Sequence, residues 1–143
     1  MSLQIGYLDS LGHPVLAIRV TGTNPNAHLD VDAMIDTGFT GFLQLPISLA
    51  LPLGLVLWAE GNYNLADGST VTNFLAEGTV TTRPPSDSGE QVLQTAPESV
   101  EGLIVLGGDG ALLGMEFLRS LDKWLLVGKS VFLLDSSELP IKI

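Results

Sequence analysis

An all-β domain is what the sequence predicts, and three observations carry that reading. Turn-forming residues recur at short intervals, with strand patterns between them. Asp67-Gly68-Ser69 separates two strand-like runs and is a strong hairpin signal, because Asp-Gly supplies positive φ at little steric cost. The leucine-rich stretch that most invites a helix, Leu49 to Leu55, contains Pro52, which limits it to about one turn.

Leu3 to Tyr7, Pro14 to Val20 and Leu29 to Ile35 read as the first strands, separated by Asp9-Ser10-Leu11-Gly12 and by Gly22-Thr23-Asn24-Pro25-Asn26. In the third of these, Leu29, Val31, Ala33 and Ile35 alternate with Asp30, Asp32 and Met34, the period of a half-buried strand. Phe42-Leu43-Gln44-Leu45 is an apolar run that stops at Pro46, as a strand leaving a turn does. The hairpin follows as Gly61 to Ala66 and Thr70 to Leu75. Arg83 to Glu90 is polar and rich in proline and glycine, hence a loop within one domain. Val92 to Thr95 and Val100 to Leu106 are the next strands. Gly107-Gly108-Asp109-Gly110 is a turn; it lacks the following Lys-Ser/Thr that a phosphate cradle needs. Leu112 to Leu118 then reads as a short buried strand, a glycine where backbone is crowded, and a helix with Leu113, Phe117 and Leu121 on one face. Lys123 to Val127 and Ser130 to Leu134 close the chain as two strands around Gly128-Lys129.

Length and composition agree with a single domain over residues 1–143. A chain of 143 residues buries roughly two-thirds of its unfolded surface, enough for a core without metal or disulfide staples. There is no cysteine, which excludes disulfides and thiolate metal sites. His13 and His28 sit in polar, turn-like surroundings and read as surface residues, so neither a metal nor a cofactor is expected. The net charge of −10 argues against nucleic acid and anionic membrane surfaces, and favours a neutral or basic peptide as partner. Residues 37–59 carry no charged side chain and are long enough to span a bilayer, but Gly41, Pro46, Pro52 and Gly54 interrupt any helix there. Met1-Ser2-Leu3-Gln4-Ile5 has neither a basic region nor a long apolar stretch, so a cytoplasmic location is expected.

The segment that carries chemistry is Met34-Ile35-Asp36-Thr37-Gly38-Phe39-Thr40, a lone carboxylate delivered by an apolar strand. Asp36 is placed to polarise water, Thr37 to hydrogen-bond within the turn, and Gly38 to admit close backbone and positive φ. That is half of an aspartic dyad: two carboxylates must share one proton, one acting as base toward water while the other donates to the scissile carbonyl. No second Asp-Thr-Gly exists in the chain, and the one Asp-Ser-Gly, Asp87-Ser88-Gly89, falls in the polar loop from Arg83 to Glu90 and not at the end of an apolar strand, so the other aspartate is expected from a second copy. The same triplet also serves as an ordinary strand-to-turn sequence in which the aspartate caps the turn.

Ile35-Asp36-Thr37-Gly38-Phe39-Thr40-Gly41-Phe42, an intervening hairpin, and Leu112-Leu113-Gly114-Met115-Glu116-Phe117-Leu118 together resemble the retropepsin-like aspartic proteases, single-domain enzymes of retroviral type. The resemblance spans residues 5–135. It implies a closed β-barrel with one short C-terminal helix and a β-hairpin flap, a homodimer, and Asp36 from each subunit in one dyad. It further implies that Thr37 braces the two active-site loops, and that the flap touches peptide through Tyr63, Ala66, Asp67 and Gly68. Phe39 stands where retroviral enzymes usually have alanine, and Met115-Glu116 where they have arginine followed by an acidic or amide residue. Terminal strands Leu3 to Tyr7 and Ser130 to Leu134 are expected to offer edges for the interface. The expected activity is peptide-bond hydrolysis. A catalytically silent dimerisation or peptide-binding module, or a structural β domain, are the other readings.

Overall fold

Among the described residues, ten strands join in one continuous sheet that closes on itself. The computed structural model describes residues 4–64, 67–83, 98–121 and 123–134. Its strands are β1 (Gln4–Leu8), β2 (Pro14–Thr21), β3 (Leu29–Ile35), β4 (Leu43–Leu45), β5 (Leu57–Asn64), β6 (Thr70–Thr82), β7 (Ser99–Leu106), β8 (Leu112–Leu113), β9 (Trp124–Val127) and β10 (Val131–Leu134). Helices α1 (Ile47–Ala50) and α2 (Met115–Ser120) are short, and a 3-10 turn occupies Leu51–Leu53. The predicted strand over Val92 to Thr95 and the loop beyond Arg83 lie outside the described residues.

Closure comes from β6. The neighbours run β6-β7-β4-β8-β3-β2, and β2 pairs back onto β6 from Ile18↔Thr82 to Thr21↔Thr79, which completes a closed six-stranded barrel. A barrel removes sheet edges that would otherwise expose unpaired backbone groups. β6 serves both ends of this arrangement, since its first half forms the hairpin with β5 and its second half is part of the wall. Pairing alternates with burial as a half-buried strand requires: in β3, Ala33 and Ile35 are buried while Asp30 and Asp32 face solvent. β2 is buried on both faces from Val15 to Ile18, because β1, β3 and β6 all pair with it and the barrel wall bends around it.

The core combines Leu16, Ile18 and Val20 of β2 with Phe42, Leu43, Leu45, Ile104, Leu113 and Phe117, all essentially inaccessible. Each such side chain contributes about 1.5–3 kcal/mol by leaving water. Phe42 and Phe117 meet edge to face, ring centroids 5.8 Å apart at 63°. Pro46 precedes α1, which begins at Ile47, two residues earlier than the sequence pattern suggested. The 3-10 turn then accommodates Pro52, and Gly54 stops it in the left-handed region at φ 67°. Residues 37–59 are thereby divided among a turn, two short helical pieces and two strands. Among the described residues no helix is long and apolar enough to cross a membrane.

A smaller layer, β1-β10-β9, extends from the barrel. Here one expectation is corrected. β1 lies between β10 and β2, and β10 lies between β1 and β9, so the two terminal strands satisfy each other within one chain. Among the described residues the outer edge of the layer belongs to β9.

Candidate active site

β3 delivers Asp36 to the bottom of a turn, and β8 fixes its height. The two strands pair in parallel through Met34↔Leu112 and Ile35↔Leu113. The register is continued by the N–H of Asp36, which donates to the Leu113 carbonyl at 2.9 Å. The Asp36 side chain is half-buried, and its Oδ1 accepts the Gly38 N–H at 2.9 Å. Phe39 N–H donates to the Asp36 carbonyl at 3.1 Å and closes the turn. Thr37, Gly38 and Thr40 are exposed on it. Gly38 does not take positive φ, contrary to the expectation from sequence. Its task is close approach: a Cβ there would stand 3.2 Å from Asp36 Oδ1, tighter than ordinary contact.

The first N–H groups of a helix have no partner within it. In α2 they are taken by the turn after Asp36: Gly114 N–H donates to Phe42, Met115 to Phe39 and Glu116 to Gly41, at 3.0, 2.8 and 3.1 Å. No side chain caps this helix. The approach is possible only because residue 114 is glycine, since a Cβ there would lie 2.1 Å from the Gly41 carbonyl oxygen. This is the crowded glycine the sequence pattern anticipated. The Phe39 ring covers both Gly41 and Gly114, coming within 2.6 and 2.7 Å of where their Cβ atoms would be. Phe39 therefore fills space that two glycines leave.

Thr37 also lines an open hollow of about 450 Å³, together with Met115, Leu118 and Arg119 of the α2 segment and Lys123 and Leu125 next to or within β9. Sequence reasoning had not connected β9 with the Asp36 turn; no local pattern marks a contact between residues so far apart in the chain. The Lys123 side chain is only 2% exposed, and its Nζ lies 3.3 Å from Glu98. A second hollow of about 320 Å³, against Gly22, Gly78 and Gly102 and edged by Glu77, Glu101 and Glu116, does not include Asp36.

The predicted hairpin is present and longer than predicted, with Asn64↔Thr70 as the last pair before its tip. Asp67 Oδ1 accepts both the backbone N–H and the hydroxyl of Ser69, at 2.9 and 2.6 Å. The hydroxyl bond, then the N–H, holds the Asp67 carboxyl below the ordinary aspartate value. Gly68 follows at φ 86°, as the Asp-Gly signal requires. Ala66 lies outside the described residues, as do the side chains of Tyr63 and Trp58. Within the hairpin Asn73 approaches Gly107, where a Cβ would stand 3.0 Å from Asn73 Oδ1. His13 and His28 are exposed beside Asp9 and Asp30. Among the described residues no group of three or more His, Asp or Glu side chains is placed to hold a metal ion.

No protein-family model and no curated protein sequence matches this chain. Solved structures do. A retropepsin-like aspartic protease from Rickettsia conorii superposes with a TM-score of 0.53 at 17% identity, covering 92% of this chain and 90% of its own. EIAV protease complexed with the inhibitor HBY-793 gives 0.48 at 13% identity, over 83% and 97% of the two chains. The fold is therefore retropepsin-like: an all-β closed barrel with one short helix after the strand that supports Asp36.

Proposed function

We propose that this chain is one subunit of a homodimeric aspartic endopeptidase whose dyad is Asp36 of each copy. The observation that carries the reading is the seat of Asp36. It follows a half-buried strand of the barrel wall, its main chain is locked to β8, and Thr37, Gly38 and Thr40 after it are exposed at a turn. The protease fold of the Rickettsia protein supports the same reading. One carboxylate per chain cannot perform the reaction, and a two-fold axis beside Thr37 supplies the second.

In the dyad one carboxyl is protonated and one ionised, because like charges about 3 Å apart do not both ionise. The ionised group takes a proton from water, whose oxygen adds to the peptide carbonyl carbon. The protonated group donates to the carbonyl oxygen. The tetrahedral species then breaks its C–N bond as the nitrogen is protonated, releasing an acid and an amine with no covalent enzyme intermediate. Thr37 braces the paired turns and Gly38 orients the carboxylate through its amide. The β5–β6 hairpin, with Tyr63, Ala66, Asp67 and Gly68 at or near its tip, acts as a lid that excludes water. An overall charge of −10 favours neutral or basic peptides.

Turnover of a peptide library by Asp36→Asn decides the matter. The variant should keep its assembly and lose at least about 10³-fold in rate. Undiminished cleavage by the variant overturns the assignment. An inactive wild type that still binds a statine-type peptide supports instead a silent peptide-binding module.

A further inference from the structure

We propose that the segment from Ile47 to Leu57 is a ledge that docks this protein on electrically neutral lipid surfaces. The inference does not depend on the reading of Asp36. Among the described residues ten large apolar side chains are exposed. Five of them, Ile47, Leu49, Leu51, Val56 and Leu57, fall within these eleven consecutive positions. Leu51, Val56 and Leu57 are the most open of the five, at 74%, 61% and 58%. Exposed leucines scattered singly need no explanation, whereas such a concentration marks a surface that meets a partner. The segment cannot roll over to hide them, because Ala50 and Leu53 already fix its inner side in the barrel core.

Two features favour lipid over a protein partner. A protein interface carries about one hydrogen bond per 100–200 Å² and a polar rim. Residues 37–59 contain no charged side chain, and from Ile47 to Leu57 the Ser48 hydroxyl is the one side chain able to hydrogen-bond. Lipid asks for the reverse, apolar side chains on a main chain whose polar groups are already paired. Much of the ledge meets that condition. The N–H groups of Leu49 and Ala50 donate to the Pro46 carbonyl at 3.1 and 3.2 Å, and the Asn24 N–H donates to the Leu53 carbonyl at 3.2 Å. The Gly54 carbonyl accepts the Thr23 N–H at 3.4 Å and also the Thr23 hydroxyl. Pro52 has no N–H to satisfy. Charge then selects the class of lipid. A chain of net −10 is repelled by anionic headgroups and by a second copy of itself, which leaves a zwitterionic surface as the occupant. Helix α1 has four residues, so the ledge lies on the bilayer, its side chains reaching about 5–10 Å into the boundary of headgroups and acyl chains.

Flotation with phosphatidylcholine vesicles is the test. Wild type should rise with the vesicles, and the double variant L51E/V56E should lower the partition coefficient at least about tenfold. L11E, at an exposed leucine in the turn between β1 and β2, should float like wild type. Unchanged circular dichroism spectra show that both variants fold. Adding phosphatidylserine to the vesicles at low salt should weaken the binding of wild type. Wild type that stays with the unbound fraction overturns the proposal, as does L51E/V56E that floats undiminished or tighter binding to the anionic vesicles. Self-association without vesicles that L51E/V56E abolishes also overturns it, because the ledge is then a contact between copies. None of these outcomes bears on turnover by Asp36, so the two readings stand or fall separately.

Discussion

The N–H of Met115 donates to the Phe39 carbonyl at 2.8 Å, so the helix that follows β8 begins on the turn that follows Asp36. Two segments far apart in sequence thus hold one carboxylate in place, and Gly114 is the residue that lets them meet. Gly114→Ala should force the backbone apart at Gly41, destabilising the fold by about 1–3 kcal/mol. Turnover should fall further than stability alone explains, because the Asp36 turn moves with it. Thermal melts beside kcat and KM check this; an unchanged melting temperature with full activity contradicts the close packing.

Phe117 carries the other face of α2 into the core against Phe42. Phe117→Ala leaves a cavity under the helix and should cost about 3–5 kcal/mol in urea unfolding. Phe117→Leu should recover more than half of that loss.

At the surface, Arg19 donates twice to Asp30, at 2.7 and 3.0 Å, in the β2–β3 register that pairs these two residues. That hydrogen bond first, helped by the charges of Arg83, Arg19 and His28, holds the Asp30 carboxyl below the ordinary aspartate value, against an opposing effect of burial that exceeds each single charge. A carboxyl that is the stronger acid when folded stabilises the fold at pH above its unfolded value of about 4. It loses that contribution as pH falls through its lower folded value. Asp30→Asn should cost no more than about 1 kcal/mol at neutral pH. It should also flatten the decline of stability in acid. A variant whose pH–stability curve matches the wild type removes Asp30 from the acid response.

Most of the fold was legible in the sequence because strand period and turn chemistry are local signals. The alternation from Leu29 to Ile35 marked β3, and Asp67-Gly68 marked the hairpin, down to the positive φ at Gly68. The Asp36 turn was legible as a motif, yet its support was not. Gly38 turned out to serve an amide-to-carboxylate contact and not a left-handed turn, a choice that local sequence leaves open. The edge position of β9 depends on β1 pairing with β10 across nearly the whole chain. Such long-range pairing leaves no trace in local periodicity, which is why the terminal strands looked like free edges.

The hairpin tip should report on ligand. At the tip Asp67 and Ser69 hold each other through local contacts, so amides near it should exchange fast in the empty protein. A bound statine-type inhibitor should slow exchange over residues 61–75 by at least about tenfold. Confirmed binding with no change there reduces the hairpin to a structural element.

The central claim is that one active site takes Asp36 from two chains, and mixing wild type with Asp36→Asn subunits tests it most directly. After subunit exchange at fixed total concentration, an equal mixture pairs at random, so only about a quarter of dimers keep both carboxylates. The rate should then be about a quarter of that of pure wild type. A rate of about one half, the value for chains that each work alone, contradicts the shared dyad.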